Sequence, residues 1–164
     1  MRAIRKVNGT VLLLVLLVGG AGRAEEGEDK AIHVIRKLGG RVARDERARG
    51  KPVIRVNLGF TKMTDAGLRE LAALKRLKVL YLHRTKVTDA GLKDLAGFGH
   101  LEKLYLGATR VTDAGLKELR GLKRLAILDL RFTRVTRGGA AELQKALPML
   151  KIHLARRDML DPKK

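Results

Sequence analysis

Side chains able to perform catalysis are scarce in this sequence. It contains no serine and no cysteine, so the commonest nucleophiles are missing. Every threonine after Thr10 falls into one of two series, Thr61, Thr85, Thr109 and Thr133 or Thr64, Thr88, Thr112 and Thr136. That regularity points to a structural duty. The histidines His33, His83, His100 and His153 lack the spacing of metal ligands, and no glycine-rich phosphate loop is present. One acid–imidazole pair, Asp129 and His153, lies one repeat apart, so the two side chains can meet on a common face; an ordinary surface pair is the simpler account. The expectation is a binding protein with no cofactor, no metal and no small-molecule substrate.

The repeat explains why those residues recur. Thr64, Thr88, Thr112 and Thr136 keep a constant step of 24 residues, and a fixed period in this range signals a solenoid. With position one at Val53, the apolar triples at positions one, four and six are Val53/Val56/Leu58, Leu77/Leu80/Leu82, Leu101/Leu104/Leu106, Leu125/Leu128/Leu130 and Met149/Ile152/Leu154. Their alternation predicts strands with one buried face. Position nine is always threonine, whose hydroxyl can serve backbone groups in the bend. Position eleven (Met63, Val87, Val111, Val135) returns to the core. The threonine at position twelve is a helix N-cap, and Asp65, Asp89 or Asp113 after it suits the positive helix end. Leu68/Leu71, Leu92/Leu95 and Leu116/Leu119 lie three apart on one helical face. The phrase "VTDAGL" recurs because each helix starts at the same point of the turn. Its fourth copy, "VTRGGA" (Val135–Ala140), departs because a terminal helix lacks a neighbour on one side. Pro148 ends that helix before the last strand. At the other end, "KAIHVIRKLGG" (Lys30–Gly40) reads as a helical cap closed by Gly39, followed by "RVAR" as a short strand and "DERARGKP" as a charged turn.

This pattern resembles the leucine-rich repeat family, in its ribonuclease-inhibitor-like form and most closely the bacterial type built on units such as "TKVTDAGLKDL" (Thr85–Leu95). The resemblance runs from about Ile32 to Leu154. It departs from the usual "LxxLxLxxN" pattern in placing threonine where asparagine stands. It implies an α/β fold, a short right-handed horseshoe with parallel strands on the concave face, helices on the convex face and a helical N-terminal cap. It also implies a binding scaffold, with no particular ligand.

On such a solenoid, positions three, five and seven face the concave side. They place Arg55 and Lys103 in one row, Asn57, Tyr81, Tyr105, Asp129 and His153 in the next, and His83 and Arg131 in the third. These nine residues are the candidate partner-binding set. Phe60 and Phe132 lie at the rim, so four of the five aromatics gather on one surface, and aromatics with arginine are the usual composition of a binding hot spot. A tyrosine pair that only supports the sheet is the alternative. Position ten gives a basic column, Lys62, Lys86, Arg110 and Arg134. Its simplest account is a solvated edge; its functional one is attraction to an acidic polymer or anionic membrane surface.

The ends carry further expectations. "MRAIRK", the apolar run Val11–Val18 and "GGAGRA" (Gly19–Ala24) have the order of a secretory signal, with cleavage after Ala24; an uncleaved membrane anchor is the alternative. The full chain has a formal charge of +19. Loss of Arg2, Arg5, Lys6 and Arg23 with the signal leaves about +15. The organisation expected is a signal over 1–24, a cap over 25–52, repeats over 53–154 and a loose tail over 155–164. The mature chain is expected outside the cytoplasm, as a monomer whose partner is a protein or peptide or, in the second reading, the acidic polymer or lipid.

Overall fold

The computed structural model describes residues 21–154. The apolar run expected in the signal and the tail after Leu154 lie outside the described residues. Among the described residues, no helix is long and apolar enough to cross a membrane.

Helix α1 (Ala21–Lys37) runs through the expected cleavage point and buries Ala31, Ile32 and Ile35 against the first turn. Gly39, at φ +80°, ends it and sends the chain into β1 (Arg41–Arg44). This strand pairs antiparallel with β2 (Val53–Asn57). Glu28 ties the cap to the first repeat by accepting from Arg44 Nη1 at 2.8 Å and from the Val53 amide at 3.3 Å. From β2 onward the strands are parallel: β3 (Val79–Tyr81), β4 (Lys103–Tyr105), β5 (Ile127–Asp129) and β6 (Lys151–His153). The sheet order follows the chain, and Val56, Leu80, Leu104, Leu128 and Ile152 stand side by side. The leucines at positions one, four and six of the inner repeats are almost completely buried. Burying each such side chain contributes roughly 1.5–3 kcal/mol, and together they form one continuous column. The fold is a leucine-rich repeat solenoid.

The return path from each strand is made by a single α-turn followed by a tighter helix. Helices α2 (Asp65–Glu70), α3 (Asp89–Leu92) and α4 (Asp113–Leu116) run into 3₁₀ segments at Leu71–Ala73, Lys93–Gly97 and Lys117–Gly121. Their buried residues follow suit, Leu68/Leu71/Leu74/Leu77 in the first repeat and Leu116/Leu119/Leu122/Leu125 in the third. A strict step of three is the period of a 3₁₀ helix. The last unit behaves differently, because α5 (Arg137–Ala146) stays α-helical for ten residues. Its buried series is Ala140, Leu143, Leu147 and Leu150, with one step of four. Met149, expected in the core, is therefore 88 % exposed, and Leu150 takes its place. Ile152 and Leu154 are only partly buried.

Two recurring sets of side-chain hydrogen bonds order the turns, one closing each bend and one joining each turn to the next. At position nine, Thr61, Thr85, Thr109 and Thr133 donate their hydroxyls to the carbonyls of Leu58, Leu82, Leu106 and Leu130 at 2.6–2.7 Å. On the helical side the aspartates bond to the next turn, which the helix-dipole reading of the sequence did not anticipate. Asp65 accepts from the Thr88 amide at 2.8 Å and the Thr88 hydroxyl at 2.7 Å. Asp89 does the same for Thr112, and Asp113 for Thr136. The threonine oxygens of Thr88, Thr112 and Thr136 also accept from the first turn of their own helices, as N-caps should, while Thr64 makes no such bond.

The bend after each strand has a feature the residue types conceal. Phe60, Arg84, Ala108 and Phe132, all at position eight, adopt φ between 54° and 61°. A left-handed backbone costs a non-glycine residue roughly 1–2 kcal/mol. The strain persists because the inter-turn ladder continues through it: the Phe60, Arg84 and Ala108 amides donate to the carbonyls of His83, Gly107 and Arg131 at 2.8–2.9 Å.

Candidate partner-binding face

Strand alternation turns positions three, five and seven away from the leucine column. Tyr81 and Tyr105 are paired in register, and their rings stack with centroids 4.5 Å apart and planes 6° from parallel. His83 stands edge-on to Tyr81 at 6.3 Å and to Phe60 at 4.8 Å, and the Arg84 guanidinium lies 5.4 Å from the Phe60 ring centre. Phe60 and Phe132 are 70 % and 63 % exposed. Phe60, His83, Tyr81 and Tyr105 thus form a connected aromatic row, in which the histidine and the two tyrosines are half-buried.

Asp129 is the buried acid of this face. Arg131 closes on it with two parallel bonds, Nε to Oδ1 at 2.9 Å and Nη2 to Oδ2 at 2.7 Å, and adds its own amide to Oδ1 at 3.1 Å. Burial opposes ionisation of Asp129, but these bonds from Arg131 outweigh it and hold the carboxyl below its ordinary range. Burial, then the neighbouring Tyr81, pushes the Tyr105 phenol up. It therefore stays protonated and able to donate at neutral pH.

The nine residues expected on this face divide into two groups. Tyr81, His83, Tyr105, Asp129 and Arg131 line one cleft of about 350 Å³ together with Arg84, Gly107, Ala108 and Phe132. Arg55, Asn57, Lys103 and His153 do not line it. Asn57 accepts from the Gly59 amide at 3.0 Å, a turn-closing duty like that of Asp129 toward Arg131. His153 neighbours Asp129 in register, yet both carboxylate oxygens of Asp129 bond to Arg131, so the acid–imidazole pair is not formed. Arg84, Gly107 and Ala108 are the lining residues that the sequence did not single out. The lone glycine between His83 and Arg131 in row seven was the available signal; the left-handed bend that brings position eight to the rim leaves none. Among the described residues, no three acids or histidines are grouped as a metal would need.

No family model matches the chain, and no curated protein matches it. Among solved structures it is similar to internalin C2 from Listeria monocytogenes, at 25% identity over 58% of this chain and 42% of that one, with a TM-score of 0.43. A leucine-rich repeat protein of Leptospira interrogans matches at 22% identity over 51% of this chain and 27% of that one, with a TM-score of 0.39. Actin-binding site 2 of leiomodin-1 matches at 16% identity over 81% of this chain and 79% of that one, with a TM-score of 0.52. The chain spans less than half the length of the internalin and Leptospira chains. What the leiomodin-1 match shares with the present chain is the solenoid fold.

Proposed function

We propose that this chain is a non-enzymatic, exported scaffold that holds a protein or peptide on its concave face. The observation that carries this reading is the stacked Tyr81–Tyr105 pair beside an open cleft that also takes in His83, Arg84, Asp129 and Arg131. Truncating such an aromatic anchor commonly costs more than about 2 kcal/mol of binding. Export rests on the order of basic, apolar and small residues over positions 1–24.

A second reading has its own support. Lys62, Lys86, Arg110 and Arg134 are all exposed, and none joins an ion pair among the described residues. Such a column suits an acidic polymer or an anionic membrane. One capture experiment separates the two. In a pull-down from extracellular extract, Tyr81→Ala with Tyr105→Ala abolishes capture while Glu replacements at Lys62, Lys86, Arg110 and Arg134 change it little. Far-ultraviolet circular dichroism checks that the tyrosine variant folds. Capture that survives the tyrosine changes but vanishes in moderate salt, as counterion release requires, replaces the first reading with the second.

A further inference from the structure

Row seven of the strand face carries two glycines in unlike settings. The space where a β-carbon of Gly59 would stand is taken by the His83 ring. At Gly107 the nearest atoms to that point are the Arg131 carbonyl at 3.3 Å and the Asp129 carboxylate at 3.8 Å, and no side chain fills the row. Gly107 is outside the left-handed region, so the bend does not demand glycine there. The result is a shallow vacancy over Gly107, between His83 and Arg131 in the floor of the cleft, closed behind by the Arg131 carbonyl.

The groups around that vacancy are unbalanced. Tyr81, Tyr105, Arg84 and Arg131 all bring donors to the cleft. Asp129 is the one carboxylate at positions three, five, seven and eight of the described strands, and both its oxygens are already bonded by Arg131. Arg131 is itself 58 % exposed, and its Nη1 bonds to nothing among the described residues. Arg55, Lys103 and Lys151 add uncompensated positive charge in row three. A ligand seated here must therefore supply acceptors and negative charge.

We infer that the shallow vacancy over Gly107 is the docking point for an acidic protein segment, one of whose carboxylate side chains lies at its mouth, toward Arg84 and the outer Nη1 of Arg131 and not against the Asp129 carboxylate. The inference rests on the concave face being the binding surface, and it names the chemistry of the partner. Carboxylate to guanidinium is the strongest pairing available to such a site, and the phenols and Arg84 complete a ring of donors.

The test uses the full chain and two short fluorescent peptides, one rich in Glu among Gly and Ser, the other its Gln counterpart, followed by fluorescence anisotropy. The Glu peptide binds at least about tenfold more tightly than the Gln peptide. Gly107→Leu, which covers the vacancy at the cost of a small shift of the Arg131 carbonyl, weakens the Glu peptide by a similar factor. Arg84→Glu with Lys103→Glu, both sites free of ion pairs among the described residues, does the same and guards against a folding defect in the leucine variant. Glu replacements of Lys62, Lys86, Arg110 and Arg134 leave binding within about threefold. Binding unaffected by Gly107→Leu, or lost with the basic-column replacements alone, overturns the inference. If both peptides bind equally and Gly107→Leu blocks both, the concave reading stands and the acidic one falls. No binding of the Glu peptide at about 1 mM also overturns the acidic assignment, whatever the tyrosine pull-down gives.

Discussion

Thr109 is a small residue with a large share of local order. It is 6 % exposed, and its hydroxyl donates to the Leu106 carbonyl at 2.6 Å. The bend cannot replace that bond with water. Thr109→Val keeps the side-chain shape and leaves the carbonyl only the longer 3.2 Å bond from the residue's own amide, so urea denaturation should show a loss of roughly 1 kcal/mol. A variant that unfolds together with the unmodified chain would reduce the threonine ladder to space-filling. This duty was legible in the sequence because the residue type recurs at a fixed position and its partner lies three residues back. The duty of Asp89 was not legible in the same way. Its partners, the amide and hydroxyl of Thr112, are distant in sequence and adjacent only once the turns stack.

The helical segments show how one motif satisfies two turns at once. In "TDAGL" the threonine receives the preceding aspartate, and the aspartate holds the following threonine. The glycine leaves room for the aspartate below it. A β-carbon on Gly91, Gly115 or Gly139 would collide with Asp65, Asp89 or Asp113 respectively. The fourth copy keeps Thr136 and Gly139, both needed by Asp113, and carries Arg137 where the others have aspartate. Inside a helix Gly→Ala ordinarily stabilises by about 0.5–1 kcal/mol. Gly115→Ala should instead destabilise by about 1–3 kcal/mol, and Asp89→Ala should remove much of that penalty in a double-mutant cycle read by thermal unfolding. Gly121→Ala, with open space around it, serves as the control. A stabilising Gly115→Ala would break the account of the motif. The step-of-three leucine series shows why the helices were seen in the sequence and their type was not. Pairs three apart fit both α and 3₁₀ helices, and only the full series of four distinguishes them. The same ambiguity misplaced Met149, since α5 alone advances at the α-helical rate.

Contacts between neighbouring turns hold the solenoid together along its length. Leu104 is fully buried and stands in register between Leu80 and Leu128. Leu104→Ala should cost about 2–5 kcal/mol, a large share of what so small a domain possesses. It should lower the melting temperature in one cooperative transition; a change under about 0.5 kcal/mol would refute the core register. The architecture and the strand face followed from periodicity, since every inward and outward position repeats. The cleft did not, because it depends on which spaces remain empty once rings and guanidinium groups have settled. His83 fills the gap at Gly59 and nothing fills the one at Gly107, a difference invisible in two identical letters.

The aspartate–threonine ladder also has a direction. Each carboxylate reaches toward the C-terminal neighbour, and among the described residues no bond of this kind runs back. Every inner turn therefore presents the same socket below and the same plug above. A whole number of turns can be removed or added between Asp65 and Thr136 and the surviving halves still match. A fraction of a turn leaves a carboxylate facing no threonine and a glycine guarding empty space. The chain can change length only in complete units, and each such change lengthens or shortens the strand face by one strand while leaving both caps untouched.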